Sequence, residues 1–213
     1  MSSIKGVMLL PPDATSYRRH MALHACMAKA NSAEKVRDPR HELTRLVEDR
    51  VRAQMQCHHA VTPWRVLRWE QRSPDNRYVQ RFRELDGVFQ HERRTTVLLE
   101  VKASASRNAL KSGLSQLRAA VSTVAHARAN TVGLLAVADL GQWCDLFGQA
   151  AEEPLAQYFD GMDLEMLDWP PRVPAGKTGG VCVTLVPDSM VREWLADNLA
   201  LDPLAFAMAQ EEW

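Results

Sequence analysis

Arg83-Glu-Leu-Asp86-Gly-Val-Phe89, a turn at His91-Glu92-Arg93-Arg94, and Thr95-Thr-Val-Leu-Leu-Glu100-Val-Lys102-Ala-Ser104 form the stretch whose reading decides the fold. The run Val97, Leu98, Leu99, Val101 is β-rich and broken only by Glu100 and Lys102, which predicts an interior strand carrying two charged groups. Side chains alternate along a strand, so Glu100 and Lys102 share one face with Leu98, while Val97, Leu99 and Val101 take the other. Asp86 sits on the preceding apolar stretch. A hairpin through the His91–Arg94 turn brings Asp86 against Glu100.

Two acids and a lysine inside a sheet are costly unless a cation neutralises the acids, because like charges so placed cannot both ionise cheaply. A divalent metal meets that need. Carboxylates from Asp86 and Glu100 and the main-chain carbonyl of Val101 are hard oxygen donors suited to Mg²⁺, or Mn²⁺, which keeps waters and shares substrate phosphates. Lys102 then orients or helps to deprotonate an attacking water and stabilises charge building on the phosphate.

Working outward, Asp38-Pro39 predicts a helix start, and Leu43, Leu46, Val47, Val51 and Met55 follow helical spacing to Gln56. Strand-like stretches follow at Trp64 to Trp69 and Arg77 to Phe89, separated by the turn Ser73-Pro74-Asp75-Asn76. After the Glu100 strand comes a polar loop from Ser104 to Lys111. A helix is then predicted over Ser112 to Asn130, with Leu114, Leu117, Ala120, Val121 and Val124 on one face. Thr131 to Ala138 is a near-continuous apolar run, the pattern of a buried parallel strand after a crossover helix.

Asp86, the gap, Glu100-Val101-Lys102 and a following helix with Gln116-Leu117 together resemble the PD-(D/E)XK nuclease superfamily, over roughly residues 40–140. The resemblance implies an α/β restriction-endonuclease-like core, a mixed central sheet flanked by helices in the order αβββαβ. It also implies a Mg²⁺-dependent endo- or exodeoxyribonuclease, with DNA preferred over RNA by family habit. Such families contribute a further acid from the first helix; Glu48 and Glu42 both flank its apolar stripe, and Glu48 better matches the family pattern of Glu followed by an aliphatic three residues on. Glu48 also reads as an exposed helix glutamate paired with Arg52 at i+4. Gln116 takes its supporting role from the resemblance. Ser104, Arg107 and Lys111 are placed to hold a substrate phosphate, or equally belong to a plain helix-entry loop. Members that cut both strands often dimerise, so a homodimer is consistent with the resemblance. The competing reading is a non-cleaving subunit of the same fold that binds nucleic acid or docks a protein.

The bulk numbers agree with a globular chain. Its 213 residues, 46% apolar and 24% charged, suffice for one core with appendages. The formal net charge is zero, yet it is segregated: residues 1–34 carry +2, residues 35–128 carry 19 basic against 10 acidic groups, and residues 129–213 carry 3 against 14. The basic middle has the sign that meets a phosphate backbone, and the acidic end suits a basic protein partner. Hence three regions are expected: an N-terminal helical extension (1–34), the nuclease-like core (35–140), and an acidic C-terminal α+β region (141–213) packed on or extending it. Four scattered cysteines without a Cys-x-x-Cys pair, no transmembrane run and no signal-peptide core predict a reduced cytoplasmic protein without a membrane partner.

Three other motifs are set aside. His20 and His24, four apart with Cys26 near, have no third ligand placed by spacing and read as a surface or packing pair, and Cys57-His58-His59 are too close in sequence to surround one tetrahedral zinc. Gly176-Lys177-Thr178 resembles the end of a phosphate-binding loop, but the required first glycine falls on Pro171.

Overall fold

The computed structural model describes residues 4–29, 39–91, 95–104, 106–141, 155–174 and 177–201. Asp38 at the expected helix start, Glu92-Arg93-Arg94 of the turn, Cys144, Gly176 and residues 142–154 of the acidic region lie outside them, as do residues 202–213. In chain order the elements are β1 (Ile4–Leu10), α1 (Thr15–Lys29), α2 (Pro39–His58), β2 (Val66–Arg72), β3 (Tyr78–Glu84), β4 (Gly87–His91) and β5 (Thr95–Ser104). Then follow α3 (Arg107–Ala125), β6 (Thr131–Asp139), α4 (Leu155–Tyr158), β7 (Glu165–Leu167), β8 (Val181–Leu185) and α5 (Asp188–Leu201). The class is α/β.

The larger sheet has the order β4-β5-β6-β8-β7. β4 runs antiparallel to β5, while β5, β6, β8 and β7 are parallel neighbours, so the sheet is mixed. Central β5 and β6 are buried almost throughout, as strands covered on both faces must be. On one face Leu43, Val47, Val51 and Met55 of α2 pack on Val97, Leu99 and Val101, joined by Val191, Trp194 and Leu195 of α5. On the other, Leu110, Leu114, Leu117 and Val121 of α3 pack on Leu98, Leu135 and Val137. Each such aliphatic side chain contributes roughly 1.5–3 kcal/mol on full burial. Gly133 permits α3 to lie this close, since a Cβ there would stand 2.8 Å from Leu117 Cγ. Among the described residues no helix is long and apolar enough to cross a membrane.

The stretch expected as one strand from Arg77 to Phe89 is two strands in two sheets. β3 pairs with β2 as far as Glu84, and with β1 they form a three-stranded antiparallel sheet. The chain then crosses over: Leu85 N–H donates to Arg65 O at 2.9 Å, and Gly87 enters beside Leu99. A Cβ at Gly87 would lie 3.1 Å from Leu99 Cδ2, so the crossing is tight. Four strands therefore stand between α2 and α3 where three were expected. The N-terminal region is not only helical, because Ile4–Leu10 forms the edge strand β1 on β2.

The polar loop expected from Ser104 to Lys111 is shorter. Ser104 ends β5 and α3 starts at Arg107, five residues earlier than its apolar periodicity indicates. The cause is Ser106, an extended N-cap whose hydroxyl accepts from the Asn108 N–H.

Candidate active site at the free edge of β5

The register of β4 creates the site. Gly87 lies opposite Leu99, so β4 leaves the later part of β5 uncovered on that edge. Successive main-chain groups of a strand face opposite edges, so Val101 and Ala103 both turn their N–H and C=O toward the vacated side. Two carboxylates replace the missing strand. Asp86 Oδ2 accepts from Val101 N at 2.7 Å, and Glu48 Oε1 accepts from Ala103 N at 3.4 Å. Both buried N–H donors are thereby satisfied.

Asp86 owes its place to the crossing between sheets, and Glu48 to the buried stripe of α2, which sets it one residue after Val47. Arg52, one turn further, joins them. Its Nε donates to Asp86 Oδ1 at 3.2 Å, and its Nη2 stands 3.5 Å from Glu48 Oε2. Burial holds the Glu48 carboxyl above the ordinary glutamate range; the Ala103 N–H and the Lys102 charge pull it down, and the neighbouring Asp86 pushes it up.

A second network lies on the α3 face. Glu100 is buried, and its carboxylate meets Lys102 Nζ at 2.9 Å and Arg83 Nη2 at 3.3 Å. Arg83 in turn donates to Gln116 through Nη1 to the main-chain O at 2.8 Å and through Nη2 to Oε1 at 3.1 Å. Gln116 is thus one bond removed from Glu100. The stem of Lys102 runs along Gly113 of α3, where a Cβ would stand 3.1 Å from its Cγ. Because Lys102 acts electrostatically on Glu48, the two networks meet across β5.

Asp86, Glu100, Lys102, Glu48 and Gln116 therefore belong to two linked networks around the end of β5. Asp86 and Glu100 each have their own cation. Among the described residues no three His, Cys, Asp or Glu side chains are grouped closely enough to hold a metal ion. The expected ligand set, two carboxylates and the Val101 carbonyl, contains only two such side chains. Hard oxygens on Asp86 and the free-edge position of Val101 fit a divalent cation chemically. Of the residues expected on a phosphate, Ser104 accepts from the Ser106 N–H at 3.0 Å, and Arg107 opens α3. Lys111 lies farther along α3, beside Arg118 and Tyr158 in a separate hollow of about 290 Å³.

Arg52 and Arg83 complete the networks, and neither is among the expected site residues. In the sequence Arg83 alternates with Arg77 and Arg81 along a strand, a pattern that fits phosphate contact or a solvated sheet face and does not point to Glu100. A further feature is an open groove of about 1080 Å³ reaching Asp86, walled by Arg45, Asp49, Arg52, Arg65 and Glu84. Comparison with protein-family models, curated proteins and solved structures finds no match.

Proposed function

We propose that this chain is a metal-dependent nuclease with a restriction-endonuclease-like core, hydrolysing phosphodiester bonds of DNA. The observation that carries the reading is the Asp86 carboxylate fixed on the N–H of Val101, between Glu100 and Lys102 on the same strand. The mixed sheet between α2 and α3, and the basic charge of residues 35–128, support it further.

Asp86, Glu100 and the Val101 carbonyl would hold Mg²⁺ or Mn²⁺, with Glu48 in support. Such an ion, when bound, lowers the pKa of a water and offsets phosphate charge. Lys102, held at its stem by Gly113 and at its tip by Glu100, orients the attacking water and meets charge developing on the phosphate. Arg83 and Gln116 keep Glu100 in place. The groove beside Asp86 admits the strand to be cut. The test is cleavage of plasmid and linear DNA with Mg²⁺ by the wild type, Asp86→Ala and Lys102→Ala, each shown folded by circular dichroism. Loss in both variants is expected; cleavage equal to wild type in either overturns the assignment.

One observation favours a second reading, a non-cleaving subunit that binds nucleic acid or docks a partner. The acids are already neutralised by Arg52, Arg83 and Lys102. Calorimetry separates the two: DNA affinity with a steep salt dependence and no divalent binding belongs to the subunit.

A further inference from the structure

The guanidinium of Arg52 is shared among three carboxylates. Nη1 contacts Asp49 Oδ1 at 2.6 Å, Nε contacts Asp86 Oδ1 at 3.2 Å, and Nη2 lies 3.5 Å from Glu48 Oε2. Two of these acids are the ones whose other oxygens cap the free edge of β5. Each of the two is therefore held by one oxygen on the strand and by the other on the arginine. The guanidinium stands between them, where a cation neutralising the pair would stand. Asp49 differs: its side chain is 60% exposed and makes the shortest of the three contacts.

We propose that Arg52 is a built-in counter-ion of the Glu48–Asp86 pair, which a divalent cation displaces and which then remains on Asp49 at the wall of the groove. The inference rests on the reading that these acids take part in holding such a cation. An arginine suits this task because its planar fork reaches several carboxylates at once and keeps its charge at every relevant pH. Proton loss cannot release it, so release comes by exchange with another cation. Asp49 makes the exchange feasible: the guanidinium gives up Asp86 and Glu48 without losing its own partner. Arg45 Nε also stands 3.8 Å from Asp49 Oδ2, so within the Glu48–Asp86 pair itself two acids face the one guanidinium of Arg52, and a dication matches that pair better. Divalent affinity of the wild type is accordingly weakened by the contacts that Arg52 has to surrender.

The experiment is Mn²⁺ binding to the full chain, followed by the loss of the free-ion signal in electron paramagnetic resonance. The proteins are the wild type, Asp86→Asn, Arg52→Gln, Arg52→Lys and the double variant Arg52→Gln/Asp86→Asn, with melting temperatures in EDTA and in Mn²⁺. Arg52→Gln should bind Mn²⁺ roughly tenfold or more tighter than wild type, the equivalent of losing one charged hydrogen bond in competition. It should also melt lower in EDTA and gain more from Mn²⁺. Arg52→Lys, which cannot bridge both acids, should fall between the two. The double variant should lose the gain. Equal or weaker binding by Arg52→Gln, with binding by the wild type abolished in Asp86→Asn, overturns the counter-ion exchange and leaves the metal reading intact. No Mn²⁺ binding by any of these proteins overturns both. If Arg52→Gln does not fold, Arg52→Lys decides alone: tighter binding than wild type supports the exchange, and equal binding overturns it.

Discussion

Asp86 holds the main-chain N–H of Val101 at 2.7 Å, across 15 residues of sequence. One oxygen thus does the work of a missing strand, while the other faces Arg52. This divides what Asp86 does for the fold from what it would do for chemistry.

Substitutions at Asp86 should therefore separate the two. Asp86→Ala orphans the Val101 N–H and is expected to cost about 1–3 kcal/mol in denaturant unfolding. Asp86→Asn keeps an oxygen acceptor and should stay within about 1 kcal/mol of wild type. Both should lower Mg²⁺-dependent cleavage by two orders of magnitude or more, on the order of losing one transition-state contact. An Asn variant that is folded and fully active would remove Asp86 from the reaction.

Glu48 and Glu42 part company in the structure, since Glu48 caps Ala103 while Glu42 is exposed in the first turn of α2. The Glu48 carboxyl is raised, chiefly by burial, so the fold favours its protonated form. Its contribution to stability is present below the unfolded glutamate value and is lost as pH rises through the folded one. Glu48→Gln mimics the protonated form. Its stability relative to wild type should improve as pH rises through the range just above ordinary carboxylates, measured by urea unfolding at several pH values. A stability difference from wild type that stays flat across that range would remove Glu48 from this role.

Tyr17 of α1 ties the N-terminal helix to the crossing that precedes Asp86. Its hydroxyl donates to Glu84 Oε2 at 2.8 Å, and burial followed by that hydrogen bond raises its pKa to about 12. The neutral phenol is favoured in the fold, so its stabilising effect holds below the unfolded value near 10 and is lost as pH rises through about 12. Ultraviolet titration should show a late phenolate transition that disappears in Tyr17→Phe. Identical titrations of wild type and variant at high pH would contradict the contact.

Much of this arrangement is legible in the sequence, for reasons of period. Glu100 and Lys102 fall on one face of β5 because a strand alternates, and the apolar run at Thr131–Ala138 can only be a covered strand. The break at Asp86 is not legible. Tyr78 to Phe89 is continuously strand-like, and only the pairing of Glu84 with Val66 and of Gly87 with Leu99 divides it. Arg83 is hidden for the same reason: one more basic residue on an alternating strand becomes a partner of Glu100 only when α3 folds over it. Arg52 reads as the i+4 partner of Glu48, but its bond to Asp86 spans 34 residues and depends on the helix docking on β5.

Gly113 gives the sharpest separation of stability from chemistry. A glycine inside α3 costs about 1 kcal/mol against alanine, so its presence calls for a reason in packing. The reason is Lys102, whose Cγ and Cε would lie 3.1 and 3.3 Å from a new Cβ, with Leu135 Cδ1 at 3.4 Å. In Gly113→Ala the helix gains and the lysine stem yields by a few tenths of an ångström, because a flexible side chain gives way before backbone does. Stability should stay within about 1 kcal/mol of wild type. The ammonium, displaced from its place beside Glu100, should lower cleavage by on the order of tenfold through misplacement alone. Thermal unfolding and cleavage rates of the same preparation check the pair. Unchanged cleavage at unchanged stability would mean that the position of the Lys102 stem does not govern the reaction, and a large loss of stability would make Gly113 a packing requirement of α3 on β6.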